Sequence, residues 1–277
     1  MASNPSTEHH EVAEILAREL DEGCIEVPLL PNVASEVLSS TLDDRSNAQR
    51  LAGLIEGDQS LASHILRVVN SPAFRGSAEI VALKQAIARL GMERIREIAL
   101  TISLKGTLFA PGPHEAVVEL AWQTGLRTGL WAKEIARTGR KNVETAYLCG
   151  LLHNVGVPIL VNRACALDKE ISADDVNAIV AQFATRAGIL LVNEWRLPEV
   201  VGHSIAALGG DTHEQAADAV MVLRAAKIVT DMQLNDCLEQ EDLVVAEPFQ
   251  ELNFYPDDLE ALVEHADTID SVVKEMA

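Results

Sequence analysis

The sequence predicts an all-α protein made of two helical lobes, and three observations carry that expectation. Apolar residues recur at helical spacing along almost all of the 277 residues, and no segment alternates with the period of two that marks a half-buried strand. Glycine and proline stand at the ends of several of these stripes, at Gly23, Gly57, Pro72 and Gly91, where they stop a helix. The densest turn signal, Ala110-Pro-Gly-Pro113, divides the chain into an N-terminal lobe of residues 1–110 and a second lobe of residues 111–277.

In the first lobe, Val12, Ile15, Leu16 and Leu20 form one stripe that Gly23 ends. The next helix starts after Pro28 or Pro31 and carries Val33, Val37 and Leu38, with the polar run Asp43-Asp44-Arg45-Ser46-Asn47 as its exit. Leu51, Leu54 and Ile55 make a helix that stops at Gly57. Leu61, Ile65, Leu66 and Val69 make another, for which Asp58 is the N-cap, because a short side-chain oxygen there accepts from a free first-turn N–H. Two more helices, Ile80 to Leu90 and Ile95 through Leu104, are hinged at Gly91.

The second lobe opens with a long helix from about His114 to Arg137, with Val118, Trp122, Leu126 and Leu130 on its apolar side. Val143 to Val155 follows, broken near Gly156-Val157-Pro158, and then Asp174 to Ala184, a piece around Ile189 to Trp195, and a helix starting at Pro198. After the loop Gly209-Gly210-Asp211 comes Ala217 to Leu234. The acidic stretch Glu239 to Asp242 reads as a surface loop, and a last helix runs from about Pro256 to Met276 with Leu259, Leu262, Val263 and Ile269 inward.

Composition excludes several classes. Hydrophobic residues are 48% and aromatic residues 4%, so the core is aliphatic and the chain is neither disordered nor fibrous. There are 22 Lys and Arg against 42 Asp and Glu, a formal net charge of −20. Nucleic-acid affinity comes largely from neutralising phosphates, so this field repels DNA, RNA and anionic lipid. Cys24, Cys149, Cys165 and Cys237 are scattered with no Cys-x-x-Cys pair, which argues against a zinc knuckle, a redox motif or a disulfide framework. The first residues lack the basic and apolar regions of a signal peptide. Leu148 to Val161, the most apolar stretch, is short for a bilayer span and is broken by His153, Asn154 and Pro158. The expectation is a cytoplasmic chain with no membrane partner.

Two segments invite a chemical reading. Gln85 to Ile98 has the shape of a helix-turn-helix, with Ala86, Gly91 and Ile95 near the positions a tight corner requires. A recognition helix must also present basic groups to DNA, and here Glu93 and Glu97 offset Arg94 and Arg96, so the segment reads as an ordinary corner. The stronger signal is Ala146-Tyr-Leu-Cys-Gly-Leu-Leu-His-Asn-Val-Gly156. It resembles the Gly-Leu-Leu-His-Asp-Ile-Gly element of the HD superfamily, in which adjacent His and Asp ligate metal for phosphoester hydrolysis. Asn154 stands where that Asp would be. A neutral amide offers a carbonyl lone pair but neither the charge nor the bridging oxygen a divalent site uses. Taken alone, His153 reads as a hydrogen-bonded, partly buried helix residue.

Flanking segments resemble one branch of that superfamily, the HDOD (HD-related output) domain of bacterial signalling proteins. Val27-Pro-Leu-Leu-Pro-Asn-Val-Ala34 is similar to its opening Leu-Pro-x-Leu-Pro-x-Val element. Ile55 to Phe74, with Asp58 and Asn70-Ser-Pro, resembles its Ile-x-x-Asp-Pro to Asn-Ser-x-x-Tyr element. Ile80 to Gly91 and Gly188 through Trp195-Arg-Leu-Pro198 resemble two further elements. The resemblance runs from about residue 27 to about 235 and implies metal-ligand positions that this chain has lost. Thr124, two positions after Trp122, stands for a His, as does Ala184, four before Gly188. A paired His falls at Leu208 and Gly209, and Lys227 replaces the closing Asp. An ammonium about 4 Å from a divalent ion opposes it by several kcal/mol at an effective dielectric near 20. Only His153 survives.

Other features read as structural: Gly125 and Gly129 admit close helix packing, Trp131 and Trp195 are core, and His9-His10 is a solvated start. The resulting expectation is a non-catalytic regulatory module of bacterial signal transduction, with no cofactor and no bound metal. It would act by binding a separate signalling protein or a small ligand in the emptied cleft. The alternative is a metal-dependent phosphohydrolase acting on a nucleotide or cyclic dinucleotide through a displaced site, for which His203 and Asp231 lie near the lost positions.

Overall fold

The computed structural model describes residues 5–39, 44–74, 78–210 and 217–276, and these form sixteen helices with no strand among the described residues. They divide into two units, one of Met1–Val27 with Pro111–Ile269 and one of Pro28–Ala110 with Asp270–Ala277.

The smaller unit holds α2 (Asn32–Ser39), α3 (Asp44–Gly57), α4 (Gln59–Val69), α5 (Leu83–Leu90) and α6 (Met92–Leu108). Asp58 caps α4 as expected, accepting from the Leu61 N–H at 3.0 Å. Asn70 ends it: its amide donates to the carbonyls of Leu66 at 2.9 Å and Ile80 at 2.7 Å, while its Oδ1 accepts from the Ile80 N–H at 2.8 Å. Arg89 donates to the carbonyls of Val69, Phe74 and Ala78. The polar groups in this part of the resemblance therefore staple a loop to its helix. Because Asn70 holds Ile80 in the loop, α5 starts at Leu83 rather than Ile80. Gly91, at φ +82°, makes the corner between α5 and α6. On α6, Arg94 pairs with Glu97 at 2.8 Å and Arg96 with Glu93 at 3.4 Å. The polar run expected as an exit loop is instead the start of α3 from Asp44 onward; Asp43 lies outside the described residues.

The larger unit holds α1 (Pro5–Glu22), α7 (Glu115–Thr138), α8 (Val143–Leu152), α9 (Gly156–Leu167), α10 (Ala173–Glu194), α11 (Glu199–Leu208), α12 (Ala217–Leu234), α13 (Gln240–Val245), α14 (Glu247–Glu251) and α15 (Pro256–Val263). α16 (Ala266–Met276) crosses the division at Ile269. This corrects the expected lobes of 1–110 and 111–277. The stripe of Val12, Leu16 and Leu20 is buried, and α1 packs on α9 and α10. Glu19 accepts two hydrogen bonds from Arg163 of α9, and Arg186 of α10 donates to Asp21. The Arg163 hydrogen bond holds the Glu19 carboxyl below its ordinary range. A turn signal marks where a chain bends, not which surface an amphipathic helix finds.

Other boundaries also move. The break after α8 falls at residues 153–155, and Pro158 sits in the first turn of α9, where no N–H is missed. The two pieces expected over 174–195 are one helix, α10. Glu239 to Asp242 leads into α13 rather than forming a loop, and the expected last helix is split into α15 and α16. His9 and His10 lie within α1, and Asp211 lies outside the described residues. Val143–Leu167 and Ala173–Glu194 are long and apolar enough to cross a membrane by length and composition, more than the sequence reading allowed. The first is interrupted at 153–155 and is largely buried inside its unit.

Candidate functional site

Three glycines, Gly125, Gly129 and Gly150, bring α7 and α8 into backbone contact. A Cβ on Gly150 would lie 2.6 Å from Gly129 Cα, and one on Gly129 would lie 3.0 Å from the Leu151 nitrogen. Beyond α8 the chain turns through His153, Asn154 and Val155 and enters α9 at Gly156. A Cβ on Gly156 would lie 1.9 Å from the Ala184 carbonyl oxygen and 2.7 Å from the Gly188 nitrogen, so α9 crosses α10 at equal closeness. The turn that carries the His-Asn pair is thus gripped at both ends by main-chain contacts, which leaves it little room to shift.

His153 is buried, with 7% of its surface exposed. Its Nδ1 lies 2.7 Å from the Gly150 carbonyl, which can only accept, so Nδ1 carries the proton and Nε2 presents a lone pair. Nε2 is buried without a hydrogen-bond partner among the described residues. Burial pushes the imidazole down to about 4, the Lys227 ammonium adds to the fall, and the Gly150 carbonyl opposes it. The ring is neutral at pH 7. An unfolded chain titrates this side chain near 6.5, so between 6.5 and about 4 the unfolded state binds the extra proton. The stability His153 confers is therefore full above pH 6.5 and is lost as pH falls toward 4, by up to about 3 kcal/mol. Urea unfolding across this range should show a drop that His153→Gln makes shallower; equal slopes would refute it.

The remaining positions do not assemble a metal centre. Thr124 is half-buried on α7, and the half-buried Asn154 points its amide at the Ala121 carbonyl from 3.4 Å. The Ala184 backbone is engaged by Gly156, Leu208 is half-buried and Gly209 exposed. Lys227, half-buried on α12, faces Asp231 of the same helix at 3.8 Å. Asp231, a candidate for a displaced site, is exposed and so serves the ammonium, and His203 is half-buried on α11. Among the described residues, no three His, Cys, Asp or Glu side chains gather where an ion could be held. One neutral imidazole, with an amide and an ammonium in place of the carboxylates, does not fit the divalent ion that the HD resemblance implies.

The sequence reading missed the bridge between α7 and α12. Thr128 Oγ1 donates to Thr230 Oγ1 at 3.1 Å, Trp131 Nε1 donates to Gln233 Oε1 at 2.8 Å, and the Gln233 amide donates to the Ala266 carbonyl at 3.0 Å. Thr128/Trp131 and Thr230/Gln233 are both three apart, the spacing of one helix face, and that is the signal that was present. Arg127 and Lys133 are also buried on α7, and the Lys133 ammonium stands over the Tyr147 ring at 6.0 Å.

The HDOD domain model matches residues 27–208. The chain belongs to the HDOD family. The HDOD match spans the Asn70 staple, the His153 turn and the Trp195 to Pro198 corner, while α12 to α16, with Lys227, lie beyond it. Among solved structures, the fold is similar to a candidate metal-dependent phosphohydrolase from Shewanella amazonensis SB2B, 20% identical with a TM-score of 0.70, covering 98% of this chain and 100% of that one. It is similar to an HDOD domain protein of unknown function from Geobacter sulfurreducens, 21% identical with a TM-score of 0.72, covering 96% and 97%. A candidate signal transduction protein from Marinobacter aquaeolei VT8 is 19% identical with a TM-score of 0.65, covering 97% of this chain and 66% of that one. At these identities the likeness establishes the HDOD fold. An uncharacterized protein of Treponema pallidum (strain Nichols) is 22% identical over 202 residues, 69% of this chain and 39% of that protein, so the chain spans about two-fifths of that relative's length.

Proposed function

We propose that this HDOD protein is a non-catalytic regulatory module of bacterial signal transduction that works in the cytoplasm by binding. The observation that carries the reading is the residue set at the HD positions. Burial keeps His153 neutral, Asn154 stands in place of the carboxylate, and Lys227 stands in place of the closing Asp. Hydrolysis of a phosphoester through a metal needs anionic ligands that offset its charge and hold it in fixed geometry, and this set supplies none. The Marinobacter relative's description as a candidate signal transduction protein agrees with the reading. The Shewanella relative's description favours a phosphohydrolase, but the donor set here opposes that alternative. Nucleic acid is not the partner, since the net charge of −20 repels phosphates and acidic neighbours pair Arg94 and Arg96.

Assays with a generic phosphodiester and a cyclic dinucleotide, each with added manganese, test the reading. The protein should show no turnover above that of His153→Ala. Turnover that His153→Ala abolishes would establish the phosphohydrolase instead.

A further inference from the structure

Between Lys227 and Lys274 the chain contains no Lys or Arg and thirteen Asp or Glu, the larger part of its net charge of −20. Within this stretch, α13, α14 and α15 pack together in the larger unit. The Gln240 amide at the start of α13 donates to the Pro256 carbonyl at the start of α15, at 2.7 Å. The Gln250 amide donates to the Val244 carbonyl at 3.3 Å. Leu243, Phe249 and Leu259 fill the interior of this cap. Its outside is not uniformly polar: Val245 and Tyr255 are each 71% exposed and Val244 39%. Two valines and a tyrosine are thus left in water on small packed helices otherwise rich in carboxylates, the two kinds of group from which a protein contact surface is built.

We propose that this cap docks a basic amphipathic helix of a partner protein, with its leucine-like residues on Val244, Val245 and Tyr255 and its lysines or arginines on Glu241, Asp242 and Asp257. Charge complementarity selects this occupant. All three carboxylates are exposed, and no cation within the stretch neutralises them. A second copy of the cap would bring like charge against like charge, and a nucleic acid would do the same. A cationic helix gains at both points, by burying its apolar side and by long-range attraction that speeds encounter. The inference is independent of the His153 reading, because none of these residues lies at the HD positions.

The test uses the full chain and two synthetic peptides, a leucine–lysine amphipathic helix and a serine–lysine control of equal charge, followed by fluorescence anisotropy. The leucine–lysine peptide should bind at least about tenfold more tightly than the control, because the apolar contacts carry the affinity. The double variant Val245→Ser/Tyr255→Ser should lose that preference, and Glu241→Gln/Asp257→Gln should weaken both peptides and reduce the salt dependence. All four substituted side chains are exposed, so an unchanged circular dichroism melt would show that folding is intact. Binding of neither peptide, equal binding of both, or a Val245/Tyr255 variant that binds as the wild type does would overturn the proposal.

Discussion

Replacing Gly156 by alanine should destabilise the protein by about 3 kcal/mol or more, at the upper end of what overpacking costs. The added Cβ would lie 1.9 Å from the Ala184 carbonyl oxygen and 2.7 Å from the Gly188 nitrogen, both main-chain atoms of a 22-residue helix. No rotamer change relieves such a contact, so α9 and α10 must separate and give up packing along their length. Gly53 supplies the control. It lies inside α3, and a Cβ there would meet nothing within 4 Å among the described residues. Gly53→Ala should stabilise by about 0.5–1 kcal/mol through helix propensity. Urea unfolding of both variants checks the pair, and a Gly156→Ala protein as stable as the wild type would mean that the helices do not cross this closely.

Trp131→Ala should cost about 3–5 kcal/mol, as large-to-small changes at fully buried aromatic residues do. Trp131 has no exposed surface, and its Nε1 donates to Gln233, which in turn donates to Ala266. The substitution opens a cavity and leaves the Gln233 oxygen without its donor. Trp131→Phe separates the two effects: it keeps most of the ring, so its cost of about 1–3 kcal/mol reads the lost hydrogen bond and the orphaned acceptor. A Trp131→Phe protein no more stable than Trp131→Ala would place the whole effect in the hydrogen bond.

The parts of the fold legible in the sequence are those that neighbouring residues encode. The stripe of Val12, Leu16 and Leu20, the Asp58 cap and the Gly91 corner are local devices, and each stands as expected. What was not legible depends on contacts far along the chain. α1 joins the larger unit through Arg163 and Arg186, well over a hundred residues away. Gly188 reads as a gap between two helices, yet it is an interior residue of α10, and the close crossing there depends on the missing Cβ of Gly156, thirty-two residues earlier. The break between α15 and α16 has neither Gly nor Pro to announce it. At the candidate site, what the sequence offers is residue type: whether Thr124, Asn154, Ala184 or Lys227 could hold a divalent ion is a property of each side chain alone. The Thr128–Thr230 and Trp131–Gln233 bonds were not, because hydroxyls and amides find partners only in three dimensions.

The central claim is that the HD positions of this HDOD protein no longer form a metal centre. It is tested most directly by elemental analysis of the full chain, purified without chelator and then equilibrated with manganese, iron, nickel, zinc and magnesium in turn. The account predicts far less than one ion per chain, with no difference between wild type and His153→Ala. One ion per chain in the wild type, lost in His153→Ala, would contradict it.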